Sequence, residues 1–171
     1  MLELGPLIRD IPDFPKKGIL FKDITTLLKD PAAFRQAIDQ LSERLRDHPA
    51  DLVIGMESRG FIFAAPIAYL LRVGFVPVRK LGKLPGPVIS TEYDLEYGTN
   101  TLELHNDAIA TGQRVLIVDD LLATGGTVSA TIELVERLGG VVSAVAFLAE
   151  LTDLKGRERL ENYDVVSLVR F

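Results

Sequence analysis

Val115-Leu-Ile-Val-Asp-Asp-Leu-Leu-Ala-Thr-Gly-Gly-Thr127 is the stretch around which the rest of the chain is organised. Val115 to Val118 is a continuous apolar, mostly β-branched run, the composition of a strand covered on both faces of a parallel sheet. Asp119 and Asp120 follow where that strand is expected to end, and in open α/β sheets ligands bind at the carboxyl ends of strands. Ala123, Thr124, Gly125, Gly126 and Thr127 then form a turn of small residues that can gather several backbone N–H groups around one point. Apolar positions recur at helical spacing through Val128, Ile132, Val135 and Leu138, so the turn is expected to open a helix with Thr127 as its N-cap.

A helix N-terminus behind exposed amides suits a phosphate monoester. Two ionised acids beside it are acceptors for a pair of hydroxyl donors, and the combination fits a ribose 5-phosphate: vicinal hydroxyls on Asp119 and Asp120, phosphate in the turn. Taken apart, strand-end acids are often only solvated and Gly-Gly is often only a loop; the reading rests on their fusion. A P-loop is excluded because no Lys lies between Leu121 and Ala130, and Gly125-Gly126 does not supply the dinucleotide fingerprint.

The chain has 171 residues, enough for one domain with a substantial core. It has no cysteine, which removes disulfides and thiolate metal sites and fits a reducing cytoplasm. Met1-Leu-Glu-Leu-Gly-Pro lacks the pattern of a signal peptide, and the most apolar run, Phe61 to Leu71, is too short to span a bilayer and is cut by Arg72. A soluble protein without membrane contact is expected. The formal net charge of −5 argues against a general nucleic-acid binder.

Ile11 to Leu28 starts with two prolines and a glycine, so it should begin as an extended arm, with Phe14 packing over the domain or a partner subunit. Asp30-Pro31 reads as a helix start, and Phe34, Ile38, Leu41 and Leu45 share one face of that helix. Leu52 to Met56 is a second buried strand, closed by Glu57-Ser-Arg-Gly60, with Phe61 to Leu71 as the returning helix. Strand, polar turn and helix repeated in this way signal a parallel sheet. Arg59 in such a turn is a donor fork for pyrophosphate. Phe75 to Val78 is a third strand, placed at an edge or a strand end by Pro77. Arg79, Lys80 and Lys83 follow, a local reversal of sign that points to an anion. Alternation on both sides of Gly98-Thr99-Asn100 predicts a hairpin or flap over residues 90–107. Val141 to Leu148 and Val165 to Val169 read as further strands, Thr152 to Leu160 as a short charged helix, and Glu150 as a strand-end charge. His48 is placed at the surface and His105 on the outer face of the hairpin, neither with chemistry.

Val115 to Thr127 resembles the phosphoribosyl pyrophosphate signature of type I phosphoribosyltransferases, in the version carried by their adenine-specific branch. Gly18-Ile-Leu-Phe-Lys-Asp-Ile24 is similar to that branch's base-binding segment, Glu57-Ser-Arg-Gly-Phe61 to its pyrophosphate loop, which often contains a non-proline cis peptide, and Leu95-Glu-Tyr-Gly98 to its hood loop. The likeness runs from Gly18 to Arg157. It implies an α/β fold, a central mainly parallel sheet flanked by helices, with a small hood built on the 1–30 arm and a flexible flap at 90–107. It implies AMP formation from adenine and phosphoribosyl pyrophosphate. By match, Asp119, Asp120 and Ala123 to Thr127 hold the ribose 5-phosphate; Glu57, Ser58, Arg59, Arg79, Lys80 and Lys83 hold pyrophosphate, in part across a homodimer interface; Leu20, Phe21, Lys22 and Leu121 hold adenine. Glu96 assists the base or the developing sugar charge, alongside Arg59, Asp119 and Asp120 as catalytic groups, and Tyr97 helps close the site. Mg²⁺ is expected on the substrate's own oxygens and waters rather than in a cage of protein ligands.

The alternatives are a transferase for xanthine, hypoxanthine or orotate, a ligand-sensing transcriptional regulator on the same fold, and a nucleotide-binding module without catalysis. The regulator normally adds a DNA-binding segment, for which this chain has neither the extra length nor a basic face.

Overall fold

The computed structural model describes residues 2–94 and 98–171, so Leu95, Glu96 and Tyr97 lie outside the described residues. Strands β1 (Arg9–Pro12) and β2 (Leu20–Asp23) pair antiparallel as a separate ribbon. Helices α1 (Thr25–Leu28) and α2 (Pro31–Leu45) follow, then β3 (Leu52–Met56), α3 (Gly60–Leu71), β4 (Gly74–Lys80), β5 (Val88–Asp94), β6 (Thr99–His105), β7 (Arg114–Leu122), α4 (Gly126–Arg137), β8 (Val141–Glu150) and β9 (Val165–Arg170). Seven strands form one sheet in the order β5-β6-β4-β3-β7-β8-β9. The five strands from β4 to β9 run parallel, and β5 and β6 add an antiparallel edge.

The period of two along β7 divides the core. Leu116 and Val118 face one layer with Phe63 and Ile67 of α3 and Leu41 and Leu45 of α2; Val115 and Ile117 face the other with Val128, Leu134 and Val135 of α4. Both faces of the central strands are therefore dry, as the unbroken apolar run required. Asp30 caps α2, its Oδ1 accepting from the Ala32 and Ala33 amides at 2.9 and 3.0 Å.

Four expectations are corrected. Pro77 is neither on an edge strand nor at a strand end: it is in the middle of β4, which lies between β3 and β6, but β6 pairs with β4 only at Arg79 and Lys80, so β4 is unpaired on that side at Pro77 and needs no donor there. The acids do not follow the strand, because β7 continues through them to Leu122, held by β8. Thr152 to Leu160 is not one helix but two 3-10 turns, Thr152–Leu154 and Gly156–Leu160, broken at Lys155, whose φ is 54°. His48 is half-buried, 3.6 Å from the Asp164 carboxylate, rather than on the surface.

Candidate active site

Asp119 and Asp120 occupy the last part of β7, at the carboxyl edge of the sheet where β3 and β7 are neighbours. Asp120 is 4% exposed and Asp119 half-buried. The Asp120 amide donates to Asp119 Oδ1 at 2.8 Å, and Arg59 Nε lies 3.0 Å from Asp120 Oδ2. Burial pushes the Asp119 carboxyl well above the usual carboxylate range, and the Asp120 charge pushes it further. Burial raises Asp120 as well, partly offset by the Arg59 guanidinium. Two crowded carboxylates with one cation between them are short of donors. A vicinal diol supplies two, and hydrogen bonding to the ionised form favours ionisation.

Directly after these acids the chain bends at Gly125, which has φ 84° and stands at the N-cap of α4. Thr127 therefore sits inside the first turn and is not the N-cap, and no side chain caps this helix end. The first amides of α4 are left without intrahelical partners, facing an open cleft. The 123–128 loop lines it together with Asp119, Leu121 and Phe147. Unfilled N–H groups at the positive end of a helix dipole make a site for an anion the size of a phosphate.

The 57–60 turn lies alongside. The Glu57–Ser58 peptide is cis. The Glu57 carboxylate accepts from the Lys80 amide at 3.0 Å and from Arg79 Nε at 3.3 Å, and these donors hold its pKa below the usual value, the Lys80 amide most. Glu57 thus ties the turn to the end of β4. Arg79 also donates to the Lys83 carbonyl at 3.0 Å, which folds the basic segment back, while the Lys80 and Lys83 side chains are exposed. Gly60 lets the turn approach β7: a Cβ there would stand 2.8 Å from Asp119 Oδ1 and 3.1 Å from the Val118 carbonyl.

The β1–β2 ribbon brings Phe21 to the same place. The Arg59 guanidinium carbon lies 5.2 Å from the Phe21 ring centroid, within cation–π range, so one side chain joins the aromatic to Asp120. Phe14 packs edge-to-face on Phe21 with centroids 5.1 Å apart and is itself 51% exposed. Leu20 is exposed. Lys22 points elsewhere: its ammonium pairs with Asp10 at 2.6 Å and covers the Phe171 ring, so any contact of this residue with a base would come from its backbone. The segment expected as a hairpin or flap forms the β5–β6 hairpin, in register from Val88↔His105 to Asp94↔Thr99, with Glu96 and Tyr97 outside the described residues. Its stem is held to α4, where Thr91 donates to Glu133 and Arg137 donates to the Ser90 carbonyl at 2.7 Å. Tyr93 Oη lies 3.5 Å from Thr127 Oγ1, so the hairpin stem reaches the first turn of α4.

One cluster escaped the reading of the sequence. Glu150 is no loose charge but 4% exposed, gripped by Arg157 through Nε at 2.9 Å and Nη2 at 2.6 Å and by Ser167 Oγ at 2.7 Å. The only signal for it was a strand-end acid followed seven residues later by an Arg.

A mainly parallel sheet that gathers an acid pair, an uncapped helix N-terminus and an aromatic ring at its strand ends has the chemistry to take a sugar phosphate that carries a ring. The family model described as Phosphoribosyl transferase domain matches residues 23–169. An adenine phosphoribosyltransferase of Thermoanaerobacter sp. (strain X514) is 59% identical over 169 residues, 99% of this chain and 98% of that protein. The crystal structure of adenine phosphoribosyltransferase from Thermoanaerobacter pseudethanolicus superposes with a TM-score of 0.96 at 58% identity, covering 98% of each chain. That of the Saccharomyces cerevisiae protein, complexed with an imino-altritol bisphosphate and adenine, gives 0.88 at 43% identity over 95% of this chain and 94% of that one. The chain belongs to the phosphoribosyltransferases and, among them, to the adenine phosphoribosyltransferase family.

Proposed function

We propose that this chain joins adenine to the anomeric carbon of 5-phosphoribosyl 1-pyrophosphate, forming AMP and pyrophosphate as a pentosyltransferase. The observation that carries the reading is the continuity of the site: Phe21, Arg59, Asp120 and Asp119 are linked contact by contact, and Asp119 lines the same cleft as the first amides of α4. A base stacked on Phe21, a ribose on the acids and a 5-phosphate at the helix end match that series from one end to the other.

In the reaction the bond from the anomeric carbon to the diphosphate oxygen breaks, and the electron pair leaves with the diphosphate. A ring nitrogen of adenine forms the new bond and gives up its proton. Positive charge develops on the sugar as the leaving group departs, and the ionised acid pair beneath the ribose stabilises it. The 57–60 turn with Arg59, Arg79, Lys80 and Lys83 receives the departing charge. Glu96, carried by the flap, assists the base, and closure of the flap with Tyr97 excludes water, which competes as a nucleophile. Leu20, the Lys22 backbone and Leu121 complete the base pocket.

Among the described residues no three carboxylate, imidazole or thiolate side chains converge as a metal cage. Mg²⁺ would instead be carried in on the substrate's own oxygens and waters, as hard small cations usually are. When bound, the ion neutralises charge on the leaving group. A homodimer is favoured by Leu81, 63% exposed between the outward-facing Lys80 and Lys83, where a second subunit would cover it. Among the described residues no helix is long and apolar enough to cross a membrane, and the absence of cysteine suits a reducing cytoplasm. Incubation with phosphoribosyl pyrophosphate, Mg²⁺ and labelled adenine, hypoxanthine, xanthine or orotate in turn tests the reading. AMP from adenine alone is expected; preference for another base, or no transfer, overturns it.

A further inference from the structure

The strongest unused cluster lies behind the phosphate loop. A Cβ on Gly156 would stand 2.2 Å from the Ala123 carbonyl and 3.0 Å from the Gly125 amide nitrogen, and one on Gly125 would stand 2.8 Å from the Gly156 carbonyl. The backbone at 156 and the backbone of the 123–125 bend are thus in direct contact, with no side chain between them. The Leu151 amide adds a tie to the Leu122 carbonyl at 2.9 Å. The next residue, Arg157, fastens this prop to the sheet: besides its two bonds to Glu150, it donates to the Val165 carbonyl at 3.0 Å and to Ser167 Oγ at 3.1 Å. Arg170 Nε lies 3.4 Å from the same Glu150 oxygen.

The Arg157 fork holds Glu150 below its ordinary pKa, so the pair stays charged across the working range. A buried ion pair adds little net stability over apolar side chains of the same size. What a bidentate fork does add is a fixed orientation, since both hydrogen bonds are made in only one geometry. The object it fixes here is the prop under the bend.

We infer that Gly156 and the Arg157–Glu150 pair are positioning residues for sugar-phosphate binding: they hold the 123–127 amides in the arrangement that receives the 5-phosphate. This rests on the assignment of that loop to the 5-phosphate. Neither residue touches the ligand; both act through the bend. A purely structural pair would lower the melting temperature and leave ligand affinities alone. A positioning pair changes affinity for the phosphoribosyl ligand and spares adenine.

The test is calorimetric binding of ribose 5-phosphate, with steady-state kinetics in both substrates, for wild type, Arg157→Met, Glu150→Gln, Arg157→Lys and Gly156→Ala. The Kd for ribose 5-phosphate and the KM for phosphoribosyl pyrophosphate should rise together, on the order of ten- to a hundredfold for a displacement below 1 Å. The adenine KM should stay unchanged, and Arg157→Lys should recover only part of the loss. Unchanged phosphoribosyl affinity with a lower melting temperature overturns the inference, as does an equal rise in both KM values. Failure of all the variants to fold also overturns it, because the contact would then be a folding element. If wild-type protein itself does not bind ribose 5-phosphate, the assignment of the loop has failed, and the inference falls with it for that separate and recognisable reason.

Discussion

Replacing Gly60 by alanine adds a single methyl group where the 57–60 turn meets the acid pair. The new carbon would stand 2.8 Å from Asp119 Oδ1, about 0.6 Å inside the 3.4 Å at which ordinary contact begins, and 3.1 Å from the Val118 carbonyl. The carbonyl belongs to β7, an interior strand paired on both sides, and cannot retreat, so the Asp119 side chain or the 57–60 turn must move. Overpacking of this kind costs about 1–3 kcal/mol. Alanine in place of glycine in a helix returns up to about 1 kcal/mol. The net loss of roughly 0–3 kcal/mol corresponds to a fall in melting temperature of no more than about 12 °C for a chain of this size. Activity is far more sensitive, because displacements approaching 1 Å at a reacting centre cost on the order of a hundredfold. Gly60→Ala is therefore expected to lose at least about tenfold in kcat/KM for phosphoribosyl pyrophosphate while remaining folded. Initial rates of AMP formation and a thermal melt on the same preparation measure both effects. A variant with wild-type kinetics would show that the turn and Asp119 need not keep their present distance, and the account of the site would be wrong there.

Asp119→Asn with Asp120→Asn removes two charged acceptors worth about 1.5–3 kcal/mol each, so kcat/KM should fall on the order of 10² to 10⁴-fold; near-normal turnover would contradict the ribose assignment. Phe21→Ala should raise the adenine KM and leave phosphoribosyl pyrophosphate binding almost intact, which calorimetry with each ligand separately would reveal. The pKa values of Asp119 and Asp120 are both raised by folding, so their contribution to stability is fully present below the ordinary carboxylate range and is lost as pH rises through their folded values. Relative to the double Asn variant, ligand-free wild type should therefore lose stability between acidic and neutral pH, and its activity should fall on the acid side above the usual carboxylate range; chemical denaturation showing the opposite slope would contradict the raised values.

The amino-acid pattern displayed the fold where one physical cause dominated. Leu52–Met56 forms a strand with the expected bounds because a dry apolar run between polar turns has no other low-energy home. Asp30 caps its helix because Asp followed by Pro leaves the chain few alternatives. The segments that meet at the candidate site were legible where each is local to one stretch of chain, as in the acids, the small-residue bend and the Arg59 turn. It was not legible where long-range geometry decides. Lys22 sits beside an aromatic in a base-binding segment, yet the alternation of β2 turns its side chain toward Asp10 and Phe171. Thr127 looked like a cap, but Gly125 in the left-handed region begins the helix earlier and leaves the amides bare. Glu150 and Arg157 meet only because β8, the 3-10 turns and β9 fold together, and no periodicity announces such a contact.

A crystal soaked with AMP tests the central claim most directly. Density should show the 5-phosphate on the 123–127 amides, the ribose hydroxyls on Asp119 and Asp120, and the purine against Phe21. AMP bound elsewhere, with this cleft empty, would contradict it.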